Sequence, residues 1–233
     1  MKTKLIGLLS LLLLASPVAF ANDVYITQSG ASLDLDIVQD GQNNKVGNST
    51  TDAVLSGASM KFSVTQTGNT NILQADVVGD NIDVDVDVTG SSNDIVINCD
   101  ASGSKSCDNT DIDVDITDSG QGGVGDGNDV DIDIATTASS DDSDVTLSLT
   151  GDTNTANIDI DGDSAPVSIT STGSTNTFNV DVDGDGDSAG HSVTLNHTGS
   201  GGVFDVTVSG NYDSIVDVTT SGAGADVDIT VSD

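Results

Sequence analysis

The stretch Val145–Asp183, VTLSLTGDTNTANIDIDGDSAPVSITSTGSTNTFNVDVD, decides the fold. Val145, Leu147 and Leu149 alternate with Thr146, Ser148 and Thr150; Ile158 and Ile160 alternate with Asn157, Asp159 and Asp161. A period of two marks a strand with one face buried. Gly151, Gly162 and Gly173 lie eleven residues apart, and Gly184 continues the interval. Eleven residues hold a strand of about six or seven plus a tight turn built from Gly, Asn and Asp. The outward residues alternate from strand to strand: hydroxyls in VTLSLT and VSITST, carboxylates and amides in NIDID and FNVDVD. A constant interval with an alternating outer face predicts an all-β, two-sheet β-solenoid in preference to a meander. Each turn of about 22 residues is made of two 11-residue strand-turn units.

The same interval recurs at Gly30–Gly41, at Gly57, Gly68, Gly79 and Gly90, and at Gly199–Gly210. Around it the chain divides into a leader (1–21), a first solenoid block (22–98), an irregular segment with a Cys loop and a Gly-rich run (99–128), and an acidic solenoid block (129–233). Roughly eight to ten rungs at about 4.8 Å make a thin rod near 40 to 45 Å, with a narrow seam of Val, Ile and Leu as its core. Few aromatics and a large net charge also suit a disordered chain, but disordered acidic tails lack this regular alternation.

Residues 1–21, with Lys2 and Lys4, an apolar run and Ala19-Phe20-Ala21, read as a secretory signal peptide, which predicts a secreted, extracellular or cell-surface product. After it stand 38 aspartates against Lys45, Lys61 and Lys105, a formal charge of −35, with no Glu or Arg. Such a chain is repelled by nucleic acid and anionic lipid, and cations are its natural partners. No later stretch reaches the roughly 18 apolar residues of a spanning helix, so membrane insertion is not expected. Cys99 and Cys107 are expected to form a disulfide stapling a short loop, worth about 2 to 3 kcal/mol; a metal pair and free thiols are the other readings.

The N-terminal third carries a more specific pattern. VYITQSG (24–30), IVQDGQNN (37–44) and SVTQTGNTN (63–71) share Gln-x-Gly, and two of them carry Gln-x4-Asn, at Gln39 to Asn44 and Gln66 to Asn71. Over roughly 24–93 the chain resembles the curlin repeat of bacterial curli fibres, whose pattern is Ser-x5-Gln-x4-Asn-x5-Gln. The resemblance implies a secreted functional-amyloid subunit that self-associates at the cell surface with outer-membrane secretion and nucleation partners. It also implies that Gln28, Gln39, Asn44, Gln66 and Asn71 stack as amide ladders along the rod. The plainer reading makes them polar turn residues.

Other patterns carry candidate chemistry. In Asp181–Ser192, Asp181, Asp183 and Asp185 occupy positions 1, 3 and 5 of a calcium loop, Gly186 occupies position 6 and Asp187 follows. Ser192 replaces the usual Glu at position 12, so the segment predicts either a loose oxygen-ligand Ca2+ site at a solenoid turn or a solvated acidic turn. One turn earlier, Asn157, Asp159 and Asp161 repeat the idea, and stacked carboxylates would repel unless a cation or salt intervenes. The Thr-rich strands admit an ice-binding reading, against the simpler fact that Thr is a good exposed strand residue. No catalytic constellation, phosphate loop or nucleophile elbow is present, so no enzyme is expected. The chain reads as a curlin-like fibre subunit for adhesion or biofilm matrix that assembles by end-to-end β-augmentation. The alternative is a monomeric calcium-binding adhesin or surface-coat module.

Overall fold

The computed structural model describes residues 22–41, 43–47, 53–68, 70–90, 92–99, 107, 109–117, 128–134, 143–162, 164–184 and 190–232; residues 1–21, which the sequence leads one to expect as a leader, lie outside them. In chain order the strands are β1 (Asn22–Val24), β2 (Thr27–Ser29), β3 (Asp34–Asp40), β4 (Asn44–Val46), β5 (Ala53–Ser56), β6 (Met60–Gly68), β7 (Ile72–Val78), β8 (Ile82–Gly90), β9 (Asp94–Cys99) and β10 (Thr110–Thr117). They continue with β11 (Asp129–Ile134), β12 (Asp144–Thr150), β13 (Thr155–Asp161), β14 (Pro166–Thr172), β15 (Thr177–Asp183), β16 (Ser192–Thr198), β17 (Val203–Ser209), β18 (Ile215–Ser221) and β19 (Asp226–Ser232).

From β6 onward the chain alternates between two parallel sheets, laying even-numbered strands on one and odd-numbered strands on the other. The smaller sheet has 8 strands in the order β18-β16-β14-β12-β10-β8-β6-β3; the larger has 11, with β1 and β2, then β4 and β5, sharing its first two rungs. This is the two-sheet β-solenoid that the alternation predicted. Every strand pair is parallel and in register, so each side chain stands over its counterpart and forms columns along the stack.

The step between paired strands is 22 residues at Val145–Val167 and Thr155–Thr177, but 35 at Asp94–Asp129 and 33 at Asp111–Asp144. Register survives because side-chain columns fix it, and the additional residues are accommodated between strands. The segment 99–128 contains β10, which pairs with β8 on one side and β12 on the other in the smaller sheet, and β9 pairs directly with β11 across it in the larger, so both sheets continue past it. Cys99 and Cys107, both buried, are joined by a disulfide across this part of the chain.

Each strand turns every second residue inward, and the inward Val, Ile, Leu and Phe form one core two residues deep. Phe62, Phe178 and Phe204 are its largest fully buried side chains, and the rings of Phe178 and Phe204 stack on adjacent rungs with centroids 5.5 Å apart. At roughly 1.5 to 3 kcal/mol per buried aliphatic or aromatic side chain, this seam is the main apolar contribution to stability. Backbone bonding does not stop at the corners: Gly151 N–H donates to Thr172 O at 2.9 Å and Thr153 N–H to Ser174 O at 2.8 Å.

The eleven-residue glycines are the corners themselves. Gly68, Gly90, Gly173, Gly199 and Gly222 stand in one column, and a Cβ on Gly90 would lie 1.5 Å from the carbonyl oxygen of Gly68. Gly90 also has φ +148°, a region that side chains other than glycine rarely occupy. At Gly90 the rungs can stack at this spacing only because the corner carries no side chain.

Candidate functional site

Three arrays of polar side chains run along the solenoid. The first is buried. Gln39 and Gln66 pair in register, and Gln66 Nε2 donates to Gln39 Oε1 at 2.7 Å. Gln39 Nε2 also donates to the carbonyls of Asn22 and Lys45. Asn44, the first residue of β4, and Asn71, immediately before β7, stand beside this pair, and both are buried. Asn44 Nδ2 donates to Gln39 O and Thr67 O, each at 3.0 Å. Gln28 does not join them: it pairs with Leu55, so its column leads into apolar core positions instead of to another amide.

The Asn column extends well beyond the residues that the Gln-x4-Asn spacing identifies. By register it runs Asn22, Asn44, Asn71, Asn93, Asn128, Asn154 and Asn176, and the last six are 2% exposed or less. Asn93 Nδ2 donates to Asn128 Oδ1, and Asn128 Nδ2 to Asn154 Oδ1, each at 2.6 Å. Asn154 N–H donates to Asn176 Oδ1 at 2.9 Å, and Asn176 Nδ2 to Ser171 Oγ at 2.8 Å. The signal was present as Gly-x2-Asn at Gly41, Gly68, Gly90, Gly151 and Gly173, but such residues are indistinguishable in sequence from ordinary turn formers. The glutamine column, by contrast, is two rungs long: after Gln66 it continues as Val88, Ile116, Leu149, Ser171 and His197.

The second array is acidic and changes sheet. On the smaller sheet Asp83, Asp85 and Asp87 of β8 stack on Asp111, Asp113 and Asp115 of β10. On the larger, Asp133 stacks on Asp159 and then Asp181, and Asp161 on Asp183. Asn157 pairs with Asn179 in the neighbouring column, between Asp131 and Asp205, so neutral amides interrupt the carboxylates there. Partial burial pushes the Asp113 carboxyl above its ordinary value, and Asp85, Asp111, Asp115 and Asp87 push it the same way. Asp133 and Asp181 are raised by the same pair of causes, burial first and the Asp159 carboxylate second. Among the described residues Lys61 meets this array, at Asp83, 3.4 Å away, while Lys45 pairs with Asp23 at 4.0 Å on β1, outside these columns.

Of the calcium-loop residues, Asn157, Asp159, Asp161, Asp181 and Asp183 are outward on β13 and β15, while Asp185 and Asp187 lie outside the described residues. Asp183 Oδ1 accepts a hydrogen bond from Ser209 Oγ at 2.7 Å. Among the described residues no group of three or more His, Cys or Asp is placed to hold a metal ion.

The third array is the hydroxyl face of β12, β14 and β16, where Thr146, Ser168 and Thr194, then Ser148, Thr170 and Asn196, then Thr150, Thr172 and Thr198 form three columns. His191 and His197 stand beside this face but point inward and are buried. The His197 ring packs on Phe204 at 5.1 Å, and burial lowers its pKa.

The two ends of the stack differ from its middle. Among the described residues β19 pairs with β17 alone and β18 with β16 alone. Val227, Ile229 and Val231 occupy core columns whose preceding members Phe204, Val206 and Val208 are buried, yet they are 39%, 42% and 45% exposed. At the other end Val24 and Ile26 are half-buried in the columns of Val227 and Ile229, and Leu33 and Leu35 are half-buried beside the smaller sheet. No family model, curated protein or solved structure matches the chain.

Proposed function

We propose that this chain is a secreted, curlin-like structural protein that self-associates into fibres at the cell surface, for adhesion or biofilm matrix, and has no catalytic role. The observation that carries the reading is the rung β18–β19, which has an unpaired parallel edge above apolar core columns left 39 to 45% exposed. Such an edge is a template for strand addition, and core residues at its foot favour a partner that brings a matching apolar stripe. The in-register amides Gln39 and Gln66 support the likeness to curlin repeats, in which amide ladders run along the fibre. Secretion and nucleation partners at an outer membrane belong to the same reading. Negative-stain microscopy with a fibre-binding dye, with and without calcium, tests it. Fibres that bind the dye are expected, and persistent monomers in every condition overturn it.

A second reading is favoured by the stacked carboxylates of β8 with β10 and β13 with β15. In it the chain is a monomeric adhesin or surface-coat module whose acidic columns are neutralised by Ca2+. Thermal melts in chelator and in millimolar calcium at matched ionic strength decide it, since coincident curves leave no role for the ion.

A further inference from the structure

We infer that copies of this chain join head to tail in one register, the β18–β19 end of one copy continuing the columns of the β1–β3 end of the next. The inference rests on the fibre reading above and adds the polarity and the residue-by-residue pairing of the junction.

Following each column from one end to the other fixes the pairing. Ile229 ends a column that runs back through Val206, Val180, Ile158, Ile132, Ile97, Ala75 and Ala53, and Ile26 begins it. Val227 ends the column that Val24 begins, through Phe204, Phe178, Leu73 and Val46. On the smaller sheet Val216 ends the column of Leu35, and Val218 that of Ile37. A next copy added as one more rung therefore sets Val24 on Val227, Ile26 on Ile229, Leu35 on Val216 and Ile37 on Val218. These four contacts are apolar on apolar at the depth of the existing core, while two inward amides of the incoming end meet other partners: Gln28 falls on Val231 and Gln39 on Thr220. Outside, Thr27 falls on Thr230, because Thr27 leads through Val54, Asp76 and Asp181 to Thr207 and Thr230.

Charge selects the polarity. The two described lysines, Lys45 and Lys61, both lie near the β1–β3 end, where Lys45 is 4.0 Å from Asp23 and Lys61 is paired in register with Asp34. The β18–β19 end carries Asp213, Asp217, Asp226 and Asp228 with no described lysine beside them. Joining two such ends sets carboxylates against carboxylates. Head to tail, only Asp226 on Asp23 and Asp217 on Asp36 fall in register. The fold already tolerates three such pairs between β8 and β10.

The test uses the full chain with Thr27→Cys and Thr230→Cys together, two exposed outward positions that leave the core intact. Neighbouring in-register strands hold Cα atoms about 4.8 Å apart, within reach of a disulfide, whereas a slip of two residues exceeds its span of about 7 Å. After assembly and mild oxidation, a ladder of disulfide-linked oligomers is expected on a non-reducing gel. It should be lost in the offset pair Thr27→Cys with Ser232→Cys, and Thr230→Cys alone should stay monomeric. Fibres that cross-link equally in the offset pair, or that give dimers through Thr230→Cys alone, overturn the junction and leave the fibre reading standing. Absence of fibres from the unaltered chain overturns both.

Discussion

Replacing Asp113 by Asn should stabilise this protein. Asp113 sits on β10 over Asp85, with Asp111 and Asp115 two residues to either side on the same face and Thr146 as its other neighbour. Two unit charges about 4.8 Å apart repel by about 0.9 kcal/mol in water and about 3.5 kcal/mol at an effective dielectric of 20. Asp113 is exposed, so screening brings the expected gain down to about 0.5 to 1 kcal/mol at low salt. For a chain of this size that is a rise in Tm of about 2 to 4 °C per kcal/mol. The pH dependence has a definite sign. The native carboxyl is raised above the ordinary 3.8, so the native state holds its proton more tightly than the unfolded state. That contribution to stability is fully present below 3.8 and lost as pH rises through the raised value. The gap between Asp113→Asn and the unaltered chain should therefore be open at pH 7 and close as pH falls towards 4. It should also shrink in about 1 M salt, where the screening length is about 3 Å. Urea melts at pH 7 and pH 4, at low and high salt, measure all four corners. An Asn variant no more stable than the parent at pH 7 and low salt, or a gain that salt leaves untouched, refutes the reasoning.

Gly90→Ala sets a methyl 1.5 Å from the Gly68 carbonyl oxygen and should cost more than the usual 1 to 3 kcal/mol of a backbone misfit, read as a collapse of the thermal transition. Asn128→Ala leaves Asn93 Nδ2 and Asn154 Oδ1 without the amide between them and should cost about 1 to 3 kcal/mol by urea melt, while Asn98→Ala, on the outer face, should cost far less. His197 has its pKa lowered by burial, so its neutral ring contributes stability above 6.5 that is lost as pH falls below that value; His197→Phe should remove this acid sensitivity, seen as slower amide exchange in β16 and β17 near pH 5.

The fold was legible because glycine spacing and apolar alternation report directly on corners and strands. At every corner where a Cβ would meet the preceding rung's carbonyl, only glycine fits, so the residue type betrays the position. The hydroxyl and acidic faces of β12 to β15 were legible for the same reason, since the 22-residue step there carries no insertion. The Asn ladder was not. Asn93, Asn128, Asn154 and Asn176 follow the residues that turn the chain, and Asn serves turns so readily that burial cannot be inferred from its presence. Nor was the change of acidic face. The acidic strands β8, β10 and β11 look consecutive, but alternation between sheets puts the first two on one side and the third on the other. Gln28 illustrates the limit of a short motif: it shares Gln-x-Gly with Gln39 and Gln66 yet stands in the column of Leu55.

The uneven steps between paired strands, from 22 residues to 35, have a practical meaning. Sequence length and vertical position are uncoupled in this molecule: the two connections on either side of β10 together carry 35 − 22 = 13 more residues than the regular step, while the paired strands keep their places to the residue. A peptide grafted into the connection between β9 and β10 or between β10 and β11 would be carried as cargo, held at one height on the rod and repeated once per subunit in any assembly. The corners marked by glycine allow no such editing, so the molecule separates places where its text can be rewritten from places where even one methyl group is too many.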